Sequence, residues 1–539
     1  MNLLEDIWLP VRRSSGATLA VRPSDLTVGL GEDPIIALAW PRPDFRLAGL
    51  EFLIGLLATA CPPEDEEAWL EGWHHPPSPE TLAAAFAPFA RAFELDGPGP
   101  RFLQDLEDLP GDPDLPETLL IEAPGEATRR KNTALLVKPD RILRLSRAAA
   151  AMALYTLQTY APSGGRGNLV SLRGGGPLTT LVLPGGEART VWHTLWANVP
   201  QGRPPAASDL PRVFPWLAPT RTVDRFPLTT PPDAHPLQAF WGMPRRIRLD
   251  FAPNSANLPC DLTGETDSVI VTGWRQRPNG VKYANWDHPL SPYYKDAKSN
   301  GWLPVHPQSD GIGYRHWVAI ALGEADVRRV ARSISDWRTR SRDVPQAVRN
   351  EGRLLAAGYD MDNMKARSFV ESEMPLPGSD PAKTETMAKL AHALVQAASI
   401  AASALRTAVR SACFDTKAKF DSAQLAAVSD AFWSMTAQPF FSIVNGEMPD
   451  DADAALLAVA PNWQKILRRT SLSLFDEAAP LDPSAASFDP KKIVAARRGL
   501  FSTLEGYGSF GTRLFAALLL SPPETTKKRA LRKQREDSP

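Results

Sequence analysis

Residues 128–176 read TRRKNTALLVKPDRILRLSRAAAAMALYTLQTYAPSGGRGNLVSLRGGG, and the rest of the chain is organised around this stretch. It contains nine basic residues and a single acid, Asp140, so its net charge is +8, whereas all 539 residues together have a formal net charge of −1. A positive block segregated within a neutral protein is the electrostatic footprint of a polyanion-binding surface. The alternative is a solvated basic loop that binds nothing.

Two glycine clusters follow within the same stretch, Gly-Gly-Arg-Gly at 164–167 and Gly-Gly-Gly at 174–176. Glycine adopts positive φ readily and lets the backbone come close to a ligand. A basic arm followed by a bare-backbone loop therefore fits a nucleic acid better than a small metabolite. A simple turn without a ligand is the alternative.

On the N-terminal side, the sequence predicts a hairpin, a helix and an irregular acidic segment. Apolar spacing in residues 1–13, a turn at Ser14-Ser15-Gly16 and the run ATLAVRP predict two paired strands. A helix is predicted for Asp44–Ala60, between two prolines. Residues 97–126 are rich in Pro, Gly and acids, which predicts an irregular surface segment. Its acids are expected to pair with the basic block: Asp105, Glu107, Asp108, Asp112 and Asp114.

On the C-terminal side, basic and aromatic residues alternate around a predicted turn at Pro278-Asn279-Gly280. Such interleaving serves base stacking and phosphate contacts in nucleic-acid-binding proteins. The alternative, and the commoner case, is that Trp274 and Trp286 belong to the hydrophobic core. The basic residues are Arg275, Arg277 and Lys282.

Farther along, Leu354–Phe369 places a polar tip, residues 360–364, between apolar flanks, which predicts a hairpin whose flanks pack below its tip. Beyond Pro381 the chain is rich in Ala and Leu, and periodic apolar positions predict four helices over residues 382–413, 421–438, 450–471 and 489–520. Six basic residues between Lys527 and Arg535 predict a mobile tail.

Composition is typical of a soluble globular protein, because hydrophobic residues make up 43 % of the chain. Cys61, Cys260 and Cys413 lie far apart, which argues against a disulfide framework and against a structural zinc. Acids interrupt the apolar N-terminus, so no signal peptide is predicted, and the apolar run Leu47–Ala60 is too short to span a bilayer. We expect a cytoplasmic protein with no metal, no cofactor and no membrane contact.

Signatures of catalysis are missing from the sequence. It has neither G-x-x-x-x-G-K-[ST] nor H-E-x-x-H, and GYGSFG around Ser509 lacks the first glycine of a nucleophile elbow. Asp360 and Asp362 could in principle bind Mg²⁺, so a metal-dependent nuclease stays open as an alternative. A turn tip is the simpler interpretation of the two acids.

Several long runs, in this order, resemble one family: NLLEDIWLPV (2–11), SLRGGGPLTTLV (171–182), VWHTLWANV (191–199), TTPPDAHPLQAFWGMPRRIRLD (229–250), HPQSDGIGYRHW (306–317) and AGYDMDNMKARSF (357–369). The family is CasA, the large subunits of the type I-E CRISPR surveillance complex Cascade. The resemblance runs from Met1 to about Phe369 and, by helical character, through the C-terminal bundle.

The resemblance implies an α+β fold, with a large mixed α/β N-terminal domain (1–375), an all-α four-helix bundle (380–520) and a basic flexible tail (521–539). It implies a non-enzymatic subunit that reads the protospacer-adjacent motif (PAM) of duplex DNA from the minor groove, starts strand separation and recruits the helicase–nuclease. The implied partners are target double-stranded DNA, the CRISPR guide RNA, that effector, and the handle-capping, backbone and small subunits of Cascade. The second candidate is a structural scaffold that binds the guide and its neighbours without reading DNA.

The resemblance also places the family's glycine loop on Ser163–Asn168. Arg166 stands there where some members have glycine, and it would either enter a narrow minor groove or narrow the choice of PAM. A cysteine cluster that could hold zinc in some members would lie near Cys260, and one cysteine cannot form it.

Two further loops are assigned in the same way. The loop beside the guide's 5′ handle falls on 132–140, where Leu135, Leu136 and Val137 stand in place of an aromatic residue and an asparagine, so packing against a protein partner is expected. The strand-separating wedge falls on Asp362, Asn363 and Met364. The predicted nucleic-acid-binding residues are Arg129, Arg130, Lys131, Asn132, Lys138, Gly164, Gly165, Arg166, Gly167, Asn168, Arg173, Arg275, Arg277 and Lys282.

Overall fold

The computed structural model describes residues 1–134, 137–165, 167–308, 311–362, 364–378, 380–413, 422–446, 449–479 and 489–523. The chain divides into two compact units, Met1–Ile312 with Ala319–Leu376, and Gly313–Val318 with the chain from Pro377 onward. The division after Leu376 lies between the domains predicted over 1–375 and 380–520. The sequence does not predict that Gly313–Val318 joins the second unit. Residues 524–539 of the predicted tail lie outside the described residues.

All strand pairs between the named strands are antiparallel and, within the described residues, form four three-stranded sheets of order β2-β1-β3, β4-β7-β6, β12-β11-β5 and β10-β8-β9. The strands are β1 Leu9–Arg13, β2 Thr18–Val21, β3 Ile35–Leu38, β4 Leu145–Ser146, β5 Thr179–Leu183, β6 Arg246–Pro253, β7 Val269–Arg277, β8 Tyr293–Lys295, β9 Trp302–Pro304, β10 Arg328–Arg329, β11 Arg353–Asp362 and β12 Lys365–Pro375.

The helices are α1 Pro43–Ala60, α2 Glu66–His74, α3 Pro79–Phe86, α4 Glu126–Arg130, α5 Arg147–Tyr160, α6 Val191–Asn198, α7 Leu210–Val213, α8 Tyr314–Trp317, α9 Arg332–Arg340, α10 Gln346–Asn350, α11 Pro381–Cys413, α12 Ser422–Val444, α13 Ala452–Ala478, α14 Pro490–Leu504 and α15 Gly508–Ala517. The three longest of these helices, α11, α12 and α13, have 23 to 33 residues and lie in the second unit.

The core of the first unit surrounds helix α1. The predicted helix is confirmed. Its residues are apolar on every side except at Asp44, Arg46, Glu51 and Thr59, and nearly all of them are buried. Phe52 makes edge-to-face contacts with a shell of aromatic rings at centroid distances of 5.6–5.9 Å. Each such pair adds about 0.5–1.5 kcal/mol beyond its buried area. The rings belong to Trp8, Phe93, Phe102, Tyr155 and Trp241.

Two further elements on the N-terminal side form as predicted, and one helix there was missed. The hairpin is confirmed, since β1 pairs with β2 around a turn in which Gly16 has φ +89°. The acidic segment 97–126 is irregular apart from a short 3₁₀ turn, Pro116–Leu119, and the first residue of α4, Glu126. Helix α5 was not predicted, although Ser146 caps its N-terminus and four alanines follow Arg147. This helix carries the chain through the core to the start of the glycine loop.

The second unit is helical, as predicted, but its fourth predicted helix is wrong. Residues 489–520 form two helices, because Gly506 ends α14 with φ +89° and the Tyr507 amide donates to the Ser502 carbonyl at 2.9 Å. Glycine is the residue that adopts this left-handed helix end without strain. Aromatic rings fill the core of the unit, where Tyr314 of α8 stacks on Phe440 at 4.4 Å.

One described helical stretch, Lys383–Cys413, is long and apolar enough to cross a membrane by length and composition alone. Its apolar residues are accounted for within the bundle: Leu390, Leu394, Ala398, Leu405 and Val409 are buried among the neighbouring helices. A core helix of a globular protein passes the same test.

Candidate nucleic-acid interface

The basic block carries less free charge than its sequence implies. Arg129 pairs with Glu117 at 2.9 Å and with Asp140 at 2.7 Å. Arg144 pairs with Asp261 at 2.9 Å, and Arg147 lies 2.7 Å from Asp267 and 3.2 Å from Asp96. Burial raises the pKa of Asp267, but hydrogen bonds from Arg147 outweigh it, and this pKa lies below its usual value. These three arginines have carboxylate partners, so the net charge of the block overstates the charge that it offers to a polyanion.

The partners of the block are also not the predicted ones. Asp105 and Glu107 accept from Arg246 of β6, at 2.5 and 2.7 Å. Asp108 lies 3.4 Å from Arg248 of the same strand. The acidic segment follows β6 because the Asp105 amide donates to the Ile247 carbonyl. The carboxylate partners of the block are instead Glu117 and Asp140, which are close in sequence, and Asp96, Asp261 and Asp267, which are farther away.

Arg173 is a second correction. Its side chain is 2 % exposed and its Nη2 lies 2.7 Å from Glu51 Oε2 in the core. Nη1 donates to the hydroxyls of Thr179 and Ser291 at 3.1 and 3.0 Å. Burial alone would lower the pKa of Arg173, but the Glu51 carboxylate raises it above the ordinary value. This arginine stabilises the core and is not available to DNA.

The turn after α4 keeps its charges exposed. Arg130, Lys131 and Lys138 are exposed, and none has an ion-pair partner among the described residues. Asn132 is exposed with φ +51°, a conformation that asparagine tolerates in turns. Val137 is 37 % exposed. Leu135 and Leu136 lie outside the described residues, so their predicted contact remains a prediction.

The basic residues of strand β7 and the following turn are either exposed or already bonded to other groups of the protein. Arg277 and Lys282 are exposed. Arg275 donates from Nη1 to Asp250 Oδ1 at 2.5 Å and from Nε to the Gly111 carbonyl at 3.0 Å. The two tryptophans are core residues, since Trp274 is 2 % and Trp286 6 % exposed. The core interpretation of the aromatics is confirmed, and stacking by them is excluded.

The glycine loop is a small closed turn with one open position. The Gly164 amide donates to the Asn168 carbonyl at 2.9 Å, which closes the loop. Gly167 has φ +73°, and a Cβ there would lie 2.8 Å from Pro278 Cβ, so this glycine is required by packing. A Cβ on Gly165 would meet no atom within 4 Å. Arg166 lies outside the described residues.

The loop packs against the predicted turn at 278–280. The Asn279 amide donates to the Gly167 carbonyl at 3.1 Å, and Asn279 has φ +63°. Gly280 approaches the Pro244 carbonyl so closely that a Cβ would lie 2.1 Å from it. Two segments that are more than a hundred residues apart in sequence thus form one surface, with Gly165 on one and the exposed Arg277 before the other.

An arginine of the neighbouring connection holds the neck of this loop. Arg245 Nη2 donates to the Pro162 carbonyl at 2.5 Å, and its Nε donates to the Leu169 carbonyl at 3.3 Å. The Arg245 amide donates to Gln158 Oε1 at 3.0 Å, and Gln158 Nε2 returns a bond to the Arg245 carbonyl at 2.9 Å. Both ends of the loop are therefore tied to one guanidinium.

The second glycine cluster is structural. A Cβ on Gly175 would lie 2.8 Å from Pro162 Cα, at the base of the glycine loop. Gly176 has φ +64°, and its Cβ would lie 2.4 Å from the Tyr359 carbonyl of β11. Close backbone packing through these glycines joins the base of the glycine loop to the β11–β12 hairpin.

The predicted hairpin at 354–369 exists, with a tighter tip than predicted. β11 continues to Asp362, which pairs with Lys365 of β12. Met364 is 56 % exposed, and Asn363 lies outside the described residues. Only one flank packs as predicted: β11 is buried from Leu354 to Asp360, whereas most residues of β12 up to Glu373 are exposed or half-buried, because β12 is the edge strand of its sheet.

Asp360 is not placed as a metal ligand. It is 2 % exposed, and its two oxygens accept from Arg367 Nε and Nη2 at 2.8 and 2.7 Å. Asp362 lies 3.8 Å from the same guanidinium. Arg367 thus bonds both oxygens of the carboxylate that the nuclease interpretation needs as a metal ligand. In the part of the chain that the structure describes, no group of three or more His, Cys, Asp or Glu has metal-binding geometry.

Comparison with models of protein families assigns this chain to a family. The family model of CRISPR-associated protein Cse1 matches residues 2–474. The chain belongs to the Cse1 family. A structure of the Thermus thermophilus member carries both names, CasA and Cse1, so the resemblance to CasA is confirmed.

The Cse1 fold extends over nearly the whole chain. Thermus thermophilus CasA superposes with a TM-score of 0.66 at 19 % identity, over 96 % of this chain and 99 % of that one. Thermobifida fusca Cse1 gives 0.67 at 18 % identity, over 96 % and 98 %. A chain of a structure described as a CRISPR RNA-guided surveillance complex gives 0.66 at 17 % identity, over 94 % and 99 %. The predicted α+β fold with its helical C-terminal part is confirmed.

Sequence reasoning missed the residues that hold this Cse1 interface in shape. Arg245, Gln158 and Glu51 were not among the predicted site residues. Arg245 stands in the run Met243–Asp250 beside Arg246 and Arg248, and nothing local marks it out from those two neighbours. Its role follows from the loop that the fold places next to it.

Proposed function

We propose that this chain is the DNA-recognition subunit of an RNA-guided CRISPR surveillance complex in the cytoplasm. In this role it reads a short motif in target double-stranded DNA from the minor groove, starts strand separation beside that motif and recruits a helicase–nuclease. It has no catalytic step of its own. Membership of the Cse1 family and the fold shared with a chain of such a complex support the proposal. Its partners are the guide RNA, the other Cascade subunits and the effector nuclease.

The observation that carries the proposal is the open backbone at Gly165. An added Cβ at Gly165 meets nothing within 4 Å, while the neighbouring Gly164 and Gly167 are held by Asn168, Pro278 and Asn279. The minor groove is narrow and offers mainly the distinction between A·T and G·C pairs. A glycine such as Gly165 suits such a groove, because its backbone amide and carbonyl groups can come close to base edges that larger residues could not reach.

Free charges next to the loop supply affinity without sequence preference. Phosphate contacts position a protein on a duplex, and base contacts specify the site. Arg277 and Lys282 are exposed on the segment that contains the loop's supporting turn. Arg130, Lys131 and Lys138 form a second exposed group after α4. Asn168 completes the loop as a hydrogen-bonding residue. Of the predicted nucleic-acid-binding residues, Arg129, Arg173 and Arg275 are left out because each has a carboxylate partner.

Contacts between the glycine segment and β11 support a role for the hairpin next to the loop. Gly176 packs on the Tyr359 carbonyl of β11, and Gly175 packs on Pro162 at the base of the glycine loop. A duplex held by the loop would therefore meet a hairpin fixed to the same glycine segment. Met364 at the exposed tip is apolar, as are the side chains that wedge between base pairs in other DNA-binding proteins.

A motif-selection assay tests the proposal. The chain is assembled with its guide RNA and partner subunits, and the complex is offered duplexes that carry a target sequence beside a randomised motif. We expect bound duplexes to be enriched in a short motif. Equal binding of all motifs would support the scaffold interpretation instead. Cleavage of DNA by the isolated chain with Mg²⁺ or Mn²⁺, abolished in Asp360→Asn, would support the nuclease.

A further inference from the structure

Arg245 lies at the neck of the glycine loop and bonds both of its ends. Its Nη2 and Nε donate to the carbonyls of Pro162 and Leu169. A Cβ on Gly164 would lie 3.8 Å from Nη2, so the guanidinium also lies beside the first glycine of the loop. Its own backbone is fixed by the reciprocal pair of hydrogen bonds with Gln158, a residue of α5 that is 1 % exposed.

This guanidinium has no carboxylate partner among the described residues, unlike Arg246 and Arg248 beside it. Burial lowers the pKa of Arg245 to about 10, so the side chain is still charged at neutral pH. The hydrogen bonds from its side chain go to loop carbonyls. Hydrogen bonds made by a charged group are stronger than those between neutral groups, so these two favour one conformation of a short loop.

We propose that Arg245 is a specificity-determining positioning residue, which holds the neck of the glycine loop closed so that the Gly165 backbone lies at one fixed distance from the base edges. The inference rests on the proposed function and goes beyond it by separating specificity from affinity. The exposed cations at 130, 131, 138, 277 and 282 are not hydrogen-bond partners of Arg245, so we expect their contribution to DNA affinity to survive its replacement.

The physical reason is the geometry of the neck. Pro162 and Leu169 precede and follow the loop, and the Gly164–Asn168 hydrogen bond closes it one step farther out. Without the guanidinium, the carbonyls of Pro162 and Leu169 would lose the donor that they share, and we expect the neck to widen. A widened loop would still lie against a duplex, but it would no longer present one arrangement of amides to the groove.

The test compares Arg245→Met and Arg245→Lys with a matched control, Arg248→Met. Arg248 lies on β6 and loses the same charge, but its partners are the exposed Asp108 and the Asp105 carbonyl, not the loop. Hydrogen–deuterium exchange of the loop amides is measured on the isolated chain. Binding of the best and the poorest motif is measured with the assembled complex at several salt concentrations.

In Arg245→Met we expect faster exchange at Gly164 and Asn168, and about a tenfold loss of discrimination between motifs, the equivalent of one charged hydrogen bond. The salt dependence of binding should be unchanged. Arg245→Lys keeps the charge but can reach only one carbonyl, so its exchange rates and its discrimination should lie between those of the parent and Arg245→Met. Arg248→Met should exchange and discriminate like the parent.

Four results would overturn the inference. Unchanged exchange in Arg245→Met would show that the guanidinium does not hold the neck. Faster exchange with undiminished discrimination would show that the neck does not set specificity. A salt slope reduced by about 0.9 would show that Arg245 contacts a phosphate. A parent complex without any motif preference would overturn the proposed function together with the inference, whereas intact discrimination in the variant alone would overturn only the latter.

Discussion

Glu51 and Arg173 form a buried ion pair, with 2.7 Å between Oε2 and Nη2 and with side chains 0 % and 2 % exposed. The pair ties down the segment that contains the glycine loop from both sides. Tyr160, which ends α5, donates from its hydroxyl to Glu51 Oε1 at 2.6 Å, and Arg173 comes after the loop. A single carboxylate on α1 therefore anchors the chain before and after residues 161–172.

Breaking this pair should destabilise the first unit strongly. Arg173→Met leaves the Glu51 carboxylate buried without its cation, and removing one partner of a buried pair costs about 3–5 kcal/mol. The double variant Glu51→Gln with Arg173→Met removes both charges and should recover part of this loss. Calorimetric unfolding of the isolated chain measures the effect.

The control for that prediction is Arg189→Met. Its ion pair with Glu373 is 2.8 Å long, but the two side chains are 55 % and 40 % exposed, so the loss should be below about 1 kcal/mol. Equal thermal midpoints for Arg173→Met and Arg189→Met would contradict the structural role of the buried pair.

Two alanine substitutions in the glycine loop should separate packing from ligand contact. Gly167→Ala places a Cβ against Pro278 at a left-handed φ of +73°, which costs about 1–2 kcal/mol for the conformation alone. Gly165→Ala meets no protein atom and should leave the thermal midpoint unchanged. It should nevertheless weaken motif-dependent binding by the assembled complex, because its methyl group would point into the space meant for the groove. Parental binding by Gly165→Ala would argue that the open position faces solvent only.

Charge removal should affect binding according to whether a cation is free or paired. Arg130→Gln, Lys131→Gln and Lys138→Gln remove cations without a partner among the described residues, and the removal of each phosphate contact should reduce the salt slope of log K by about 0.9 for duplex DNA. Arg144→Gln removes a cation that already neutralises Asp261 and should leave the slope unchanged. Binding to target duplex and to guide RNA is measured across a salt series. An unchanged salt slope in a variant that carries all three substitutions would show that residues 130–138 do not contact the nucleic acid.

The sequence predicts those elements of the fold that depend on interactions between residues close together in the chain. Local periodicity and turn chemistry were enough for the β1–β2 hairpin, for α1, for the turn at 278–280 and for the hairpin of β11 and β12. One glycine with positive φ, Gly506, was enough to make the predicted fourth bundle helix wrong. Its position within an apolar periodic run gave no sign of which φ it adopts.

The site was less predictable because partners are chosen in space. Arg147 and Arg173 count as basic residues in any window, yet Asp267 and Glu51 approach them from more than a hundred positions away. The same applies to Arg245, whose role depends on carbonyl groups and not on side-chain identity. Net charge along a sequence therefore overstates the charge that a folded surface offers.

The last prediction concerns the tip of the β11–β12 hairpin. Replacing Asp362, Asn363 and Met364 with Gly or Ala removes the exposed apolar tip but leaves Asp360 and Arg367 paired below it. Binding to the PAM duplex should be spared, since the glycine loop and the phosphate contacts remain. Opening of the first base pairs should slow, because each stacking step costs about 1–2 kcal/mol that the tip no longer offsets. Fluorescence of 2-aminopurine at the first target positions measures opening, and a pre-melted bubble should restore it. Ser368→Ala, on the exposed face of β12 away from the tip, is the matched control. If the tip variant opens paired DNA as fast as the control, residues 362–364 are only a turn, and strand separation begins elsewhere in the complex.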